Sequence, residues 1–435
     1  MTGSTALLTD HYELTMLQAA LAAGTAERRC VFELFSRSLP DGRRYGVLAG
    51  VGRALEALER FRFEEESLAA LEGVVDDRTL SWLASYRFSG DVRGYGEGET
   101  YFPGSPLMQV ESSFAEAVLL ETLLLSIYNH DSAIAAAASR MTRAAGERPC
   151  IEMGSRRTHE EAAVAAARAA YVAGFEATSN LAARHRWGVP STGTSAHSFT
   201  LLHDSEDDAF RAQVDSLGVG TTLLVDTYDV AEAVRLGVEV AGPGLGAVRL
   251  DSGDLAVLAH QVRAQLDSLG AHETRIVVTS DLDEYAIAAL GAAPVDGYGV
   301  GTQLVTGSGH PTCGMVYKLV AREDRHGDLE PVAKRSSKKA SFGGRKWARR
   351  RLGPDGRAEA EVVGTGEAPA TGAGSRDLLV DLVRGGEVVG REPLARARER
   401  HHASREELPL AAQSLGRGQP VLPTERVDAA AAARG

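Results

Sequence analysis

Leu223-Leu224-Val225, followed by Asp226-Thr227-Tyr228-Asp229, opens a pattern that runs to residue 302. Ala247-Val248-Arg249-Leu250 ends in Asp251-Ser252-Gly253-Asp254, Ile276-Val277-Val278 ends in Thr279-Ser280-Asp281, and Tyr298-Gly299-Val300 ends in Gly301-Thr302. Short apolar runs rich in Val, Leu and Ile predict buried parallel strands. Helical periodicity follows the first three runs, over 230–240, 255–269 and 284–290. Strand-helix-strand repetition places the strands in one parallel sheet or barrel. Every polar cluster then falls on one rim, at the carboxyl ends of the strands, where barrels build their chemistry. Asp, Ser, Thr, Gly and Arg in those clusters suit phosphates, hydroxyls and a metal-bound anion better than an apolar ligand.

Around this core the chain has 435 residues, enough for two domains, one of them of barrel size. Its 44% hydrophobic and 24% charged content is that of an ordinary globular protein. A formal charge of −12 argues against a general nucleic-acid binder while leaving room for a local anion site. Cys30, Cys150 and Cys313 are scattered, with neither a disulfide framework nor a zinc spacing, which points to buried thiols in a reducing compartment. Residues 1–10 carry no signal-peptide pattern, and no apolar window is long enough to span a bilayer. The expectation is a cytoplasmic protein without membrane or nucleic-acid partners.

The organisation divides in three. Residues 1–113 read as a mixed α/β unit, with a helix over 10–23, a half-buried alternating strand over 30–36, helices over 48–61 and 65–72, and short strands near 92–99 and 107–110. Residues 114–320 form the barrel domain, entered through alanine-rich helical stretches. Residues 321–435 form a β-rich segment distinct from the barrel series. It contains a basic loop, 333–351, read as a solvated loop or, more sharply, a phosphate-binding flap. Residues 429–435 are a low-complexity end.

Three further clusters carry chemistry. Thr194-Ser195-Ala196-His197-Ser198 follows Gly193 as a strand end with a tight turn, which puts His197 on the same rim; a histidine held by local hydrogen bonds is the plainer reading. Asp251-Ser252-Gly253-Asp254 opens a helix, where backbone N–H groups and a glycine receive phosphate, although Asp and Ser are also ordinary caps. Arg156 and Arg157, in Glu152-Met153-Gly154-Ser155-Arg156-Arg157, could hold a carboxylate or phosphate, or form surface ion pairs.

Taken together, these motifs resemble the nicotinate phosphoribosyltransferase family of type II phosphoribosyltransferases. The likeness runs from Leu7-Leu8-Thr9-Asp10-His11-Tyr12-Glu13-Leu14-Thr15-Met16 to Pro420-Val421-Leu422-Pro423-Thr424. It includes Phe32-Glu33-Leu34-Phe35, Pro103-Gly104-Ser105-Pro106-Leu107, the Glu152–Arg157, Gly193–Ser198, Asp226–Asp229 and Arg249–Asp254 motifs, and Val316-Tyr317-Lys318-Leu319-Val320.

The resemblance implies an incomplete α/β barrel joined to an α/β sandwich domain built from N-terminal and C-terminal segments. It implies transfer of a phosphoribosyl group from phosphoribosyl pyrophosphate to nicotinate, with ATP as co-substrate coupled through phosphorylated His197, and with Mg²⁺ held mainly by the diphosphate. Nicotinate would meet Tyr12, Arg156, Ser179, Thr194 and Arg249. The phosphoribosyl and phosphate groups would meet Asp10, Asp251, Ser252, Gly253, Gly301, Thr302 and Lys318, with Asp281 near ribose and metal. His197, Asp251 and Asp281 would be the catalytic set. A homodimer is implied, with Asp10 and Tyr12 reaching the neighbouring site. In nicotinamide-using relatives an Asp stands at the place of Ser179, so a serine there favours nicotinate. One departure is Gly343-Gly344, where the family pattern has Pro before the second Gly, which implies a looser loop. The rival readings are a nicotinamide phosphoribosyltransferase, a catalytically silent relative that only binds and, from spacing alone, a generic barrel lyase or isomerase.

Overall fold

The computed structural model describes residues 3–334 and 342–427. The chain forms two compact units, one of Met1–Ala133 with Thr312–Gly435 and the other of Ile134–Pro311. These bounds correct the sequence-based division at 113 and 320. Phe114 and Ala115 donate their N–H groups to Arg28 and Ala26, both at 2.9 Å, which holds the helix Phe114–Val118 to the first unit. Strand Met315–Glu323 pairs antiparallel with Arg29–Ser36 and therefore leaves the barrel series too.

The second unit is the barrel. Six strands run in the order Ala177–Thr178, Cys150–Glu152, Gly297–Val300, Arg275–Ser280, Ala247–Leu250, Thr222–Leu224, and every neighbouring pair is parallel. Ser191 adds a parallel bridge beside Thr178. Among the described residues the outer edges of this series do not pair with each other, so the barrel is incomplete. Leu223, Leu224, Val225, Val248, Leu250, Ile276, Val278, Tyr298 and Val300 are all buried, as strands covered on both faces require. Helices Val230–Ala241, Leu255–Ser268 and Glu284–Ala289 follow their strands. They begin at Asp229, Asp254 and Asp283, whose carboxylates accept from backbone N–H groups in the first turn. Asp229 and Asp254 close their strand-end clusters as helix caps, whereas the third helix is capped by Asp283, two residues past Asp281, so Asp281 remains for the rim.

The first unit holds a seven-stranded antiparallel sheet, in the order Leu329–Pro331, Met315–Glu323, Arg29–Ser36, Pro106–Ser113, Asp91–Tyr95, Leu379–Arg384, Glu387–Val388. A four-stranded sheet of Ser375–Asp377, Lys346–Leu352, Ala358–Thr365 and Thr424–Val427 lies in the same unit. Residues 30–36 are not the half-buried strand that their alternation predicts. The strand is central in the larger sheet, and all of its residues after Arg29 are buried.

The basic 333–351 segment is also corrected. Residues 335–341, with Arg335, Lys338 and Lys339, lie outside the described residues, as do 429–435. Lys346–Leu352 is a strand rather than a loop. Its cations are neutralised by acids: in the interior Lys346 Nζ lies 2.7 Å from Glu33 and Arg350 Nη2 2.9 Å from Glu361, and nearer the surface Arg349 Nε lies 2.6 Å from Asp377. Gly343 does not loosen the chain here. A Cβ at that position would stand 2.7 Å from the Val332 carbonyl oxygen, so glycine permits a close backbone approach. No helix among the described residues is long and apolar enough to cross a membrane.

Arg350 and Glu361 are fully buried, and Glu361 also accepts from Tyr95 Oη at 2.7 Å. Removing one charge of such a pair costs about 3 kcal/mol. Glu361→Gln should therefore lower the urea midpoint of the first unit, read by circular dichroism. An unchanged midpoint would show that Glu99 and Glu407, 3.6 and 3.9 Å from the Arg350 guanidinium, suffice to neutralise it.

Candidate active site

The carboxyl ends of four barrel strands enclose a cleft of about 230 Å³. Its lining includes Arg156 and Arg157 after Cys150–Glu152, Arg249 and Asp251 at Ala247–Leu250, Asp281 after Arg275–Ser280, and Gly301 and Thr302 after Gly297–Val300. Thr279 and Met153 complete it, and the strands approach closely there. A Cβ on Gly299 would stand 2.5 Å from Thr279 Cγ2 and 2.7 Å from Met153 Sδ.

Arg249 is the most constrained cation. Its Nε donates to Thr279 Oγ1 at 3.0 Å, Nη1 to Thr194 Oγ1 at 2.8 Å and to the Ser195 carbonyl at 3.0 Å, and Nη2 to Asp251 Oδ1 at 3.0 Å. A guanidinium has five N–H donors, so one remains for a ligand. Thr279 Oγ1 also donates to Asp251. Burial alone would raise the Asp251 pKa. Hydrogen bonds from Thr279 and Arg249, with the positive charge of Arg249, outweigh burial and hold it below the ordinary carboxylate range. Asp251 is thus a fixed anion at neutral pH. Arg156 and Arg157 are exposed, and neither forms an ion pair among the described residues. The plainer reading of them as a surface ion pair is therefore not what the structure holds.

The Asp226–Asp229 cluster has definite contacts. Asp226 Oδ2 accepts from the Asp251 N–H at 2.9 Å and from Ser252 Oγ at 2.7 Å, so it ties down the turn that leads to Gly253. Gly253 has φ of 85°, a left-handed conformation that glycine adopts without strain. Thr227 Oγ1 lies 3.1 Å from His197 Nδ1. His197 is half-buried at the start of helix His197–Leu202, six residues after the Ser191 bridge to Thr178. Thr302 Oγ1 lies 3.4 Å from Asp281 Oδ1 at the exposed rim.

Of the residues singled out from sequence, Arg156, Arg249, Asp251, Asp281, Gly301 and Thr302 line this one cleft. Thr194 joins them through Arg249, Ser252 through Asp226, and Gly253 continues the same turn. His197 stands at the Asp226–Asp229 strand end. Ser179 is exposed beyond strand Ala177–Thr178 and is not part of the cleft lining; its N–H donates to the Glu152 carbonyl at 2.8 Å. Asp10, Tyr12 and Lys318 belong to the first unit. Tyr12 is 44% exposed, and its phenol is pushed up to about 12 by burial and by the charges of Glu121 and Glu13. Lys318 Nζ pairs with Glu121 at 3.0 Å. Thr279 and Asp226 also matter to the site although the sequence assigns them no role: each is a polar residue at or just after the end of a buried strand, and its partners come from a neighbouring strand.

Among the described residues no three His, Cys, Asp or Glu side chains could hold a metal by themselves. Two features fit a cation that arrives with an anionic ligand. Asp226 Oδ1 is buried without a hydrogen-bond partner, and Asp281 is exposed on the rim. A Mg²⁺ ion commonly takes one or two carboxylates and fills its remaining positions with water and phosphate oxygens.

Residues 7–129 match the family described as nicotinate phosphoribosyltransferase (NAPRTase) N-terminal domain. A nicotinate phosphoribosyltransferase of Mycobacterium tuberculosis is 57% identical over 432 residues, covering 97% of this chain and 95% of that protein. The Bacillus subtilis nicotinate phosphoribosyltransferase is 38% identical over 74% of this chain and 68% of its own length. The crystal structure of human nicotinic acid phosphoribosyltransferase superposes with a TM-score of 0.83, at 26% identity, over 98% of both chains.

The Asp226 contacts give a direct test. Asp226→Ala should weaken pyrophosphate binding, read by isothermal titration calorimetry, about tenfold, since two hydrogen bonds to a charged group that order the turn are lost. Asp226→Asn keeps an acceptor oxygen and should stay within about threefold of wild type on the same reasoning. Equal losses in both would show that the charge rather than the acceptor is needed.

Proposed function

Because the chain belongs to the nicotinate phosphoribosyltransferase family, we propose that it joins nicotinate to the phosphoribosyl group of phosphoribosyl pyrophosphate. The products are nicotinate mononucleotide and pyrophosphate, and ATP hydrolysis is coupled through phosphorylation of His197. The observation that carries this reading is the single cleft in which unpaired Arg156 and a four-times anchored Arg249 face Asp251, Asp281 and the Gly301 backbone. Such a site offers cations to an anionic ring substituent and to phosphates, and carboxylates to a sugar that becomes cationic.

The nucleophile is a pyridine nitrogen, unprotonated at neutral pH, so no general base is required. The difficult step is departure of pyrophosphate from C1′ with positive charge developing on the ribose ring. Asp251 and Asp281 stabilise that charge, and Asp251 is suited to it because its hydrogen bonds keep it ionised. Arg156 and Arg249 hold the nicotinate carboxylate, with Thr194 and Thr279 fixing the guanidinium of Arg249. Ser252, Gly253, Gly301 and Thr302 receive the phosphoribosyl group. Mg²⁺ bound by the diphosphate, with Asp226 and Asp281 as neighbouring carboxylates, would neutralise the leaving group. A phosphate on His197 would add roughly −1.5 to −2 charge, by analogy with other phosphorylated side chains, and so tighten that cation's hold on the diphosphate.

Asp10 and Tyr12 are read as contributions to a neighbouring subunit's site in a homodimer, and Lys318 as a phosphate contact. Tyr12 keeps its phenolic proton at neutral pH and can serve as a donor. The three free, buried cysteines favour a reducing, cytoplasmic setting. Ser179 replaces a carboxylate that would repel nicotinate.

Turnover with nicotinate and with nicotinamide, each with and without ATP, tests the reading. Nicotinate should be preferred, and ATP should stimulate. His197→Ala should lose the acid-labile label from ATP and the stimulation by ATP, and persistence of both would overturn the role of His197. Ser179→Asp should raise the KM for nicotinate about tenfold, the scale of one misplaced charge or hydrogen bond. An unchanged KM would remove Ser179 from substrate selection.

A further inference from the structure

Glu152 ends a barrel strand and is 0% exposed, yet it forms no ion pair among the described residues. A buried carboxylate without a cation is costly to keep. Burial pushes its pKa up, opposed by hydrogen bonds from Thr178 and Gly154. Those two bonds define what the side chain does. Glu152 Oε1 accepts from the Gly154 N–H, and Oε2 accepts from Thr178 Oγ1. Thr178 Oγ1 in turn accepts from the Asn180 N–H at 2.9 Å. The Glu152 carbonyl takes the Ser179 N–H at 2.8 Å, and Asn180 Nδ2 donates to Ser155 Oγ at 3.0 Å. Two chain segments, 153–156 and 178–180, are therefore stitched together by one carboxyl-terminal strand residue and its neighbours.

We propose that Glu152 is a positioning residue for the nicotinate-binding side of the cleft, setting the Gly154–Arg156 turn against the Thr178–Asn180 segment. The proposal rests on the reading that Arg156 and Ser179 face nicotinate. The donor arithmetic explains why a carboxylate is used. A backbone N–H can only donate. The Thr178 hydroxyl accepts from the Asn180 N–H with one lone pair and donates its proton to Glu152 Oε2. Both neighbours present hydrogens, and an ionised carboxylate accepts at both oxygens. Glutamine of the same shape has one acceptor oxygen, so it would either face its NH₂ to the Gly154 N–H or force the Thr178 proton to turn away. The turn itself has no slack. A Cβ on Gly154 would stand 2.2 Å from Val305 Cγ1 and 3.0 Å from Glu152 Oε1.

The test is steady-state kinetics on the full chain with nicotinate, nicotinamide and phosphoribosyl pyrophosphate, together with acid-labile labelling by ATP. Glu152→Gln should raise the KM for nicotinate about tenfold and erode the preference for nicotinate over nicotinamide. The KM for phosphoribosyl pyrophosphate and the labelling should stay within about twofold. Thr178→Val, which removes one of the two donors, should act in the same direction, and Thr178→Ser, which keeps it, should restore wild-type behaviour. If Glu152→Gln does not fold, the two Thr178 variants decide the matter alone. An unchanged nicotinate KM, an equal rise in both KM values, or a Thr178→Ser enzyme as impaired as Thr178→Val would overturn the proposal. Absence of turnover with nicotinate in the wild type would instead refute the underlying functional reading.

Discussion

Six barrel strands pair only in parallel, and that constraint governs the rest of the site. Parallel pairing sends every carboxyl end to the same edge, so each strand delivers its closing residues to one rim. Register then decides which of those residues meet. Leu224 stands opposite Arg249, Arg249 opposite Val277, and Val300 opposite Glu152. Asp226 therefore reaches the Asp251 N–H, and the Gly301 backbone comes beside the Gly154 turn. A shift of one residue in any of these pairs would turn the polar closing residues of that strand to the other face.

The same edge shows how carboxylates are used. Asp229, Asp254 and Asp283 spend their oxygens on helix N–H groups, Asp226 and Glu152 on turn N–H groups and hydroxyls, and Asp251 on Arg249 and Thr279. Asp281, by contrast, is exposed and lightly bonded, with only the long contact to Thr302. The acids at this edge thus differ in how much of their hydrogen-bonding capacity the fold consumes: the caps and Glu152 are spent inside the structure, whereas Asp281 and one oxygen of Asp226 are not. Hydrogen bonding, not sequence position, makes that difference.

This also marks what could be read from sequence. The strands, the helices after them and their common rim follow from local apolar runs and periodicity, and the family likeness names residues such as Arg249 and His197. The work of Asp226 is not legible, because it depends on the strand carrying Asp251 being its neighbour in space. Glu152 is hidden for the same reason, since Thr178 and Val300 come from other strands. The strand Lys346–Leu352 misleads more strongly. Its charge density signals a solvated loop, while the acids that neutralise it come from other strands: Glu361 from the next strand of the same sheet, Asp377 from the strand on its other side, and Glu33 from 313 residues earlier. Long-range pairing is invisible to any reading that scores a residue by its own polarity.

The chain carries a net charge of −12 and still presents arginines to the cleft. At physiological salt the field of distant acids is screened beyond about 8 Å, so an anionic substrate is held by the groups it touches rather than by the average charge. Short-range capture favours a cation already fixed in place. Arg249 has four of its five donors committed to Thr194, Ser195, Asp251 and Thr279, so little side-chain freedom remains to be lost on binding. A lysine could not be held this way, because an ammonium has three donors on a flexible stem and no planar fork to align. The acidic bulk and the arginine-lined cleft are therefore compatible. The pinned guanidinium of Arg249 gives the cleft a cation of fixed direction, and Arg156 adds an unpaired positive charge to the same lining.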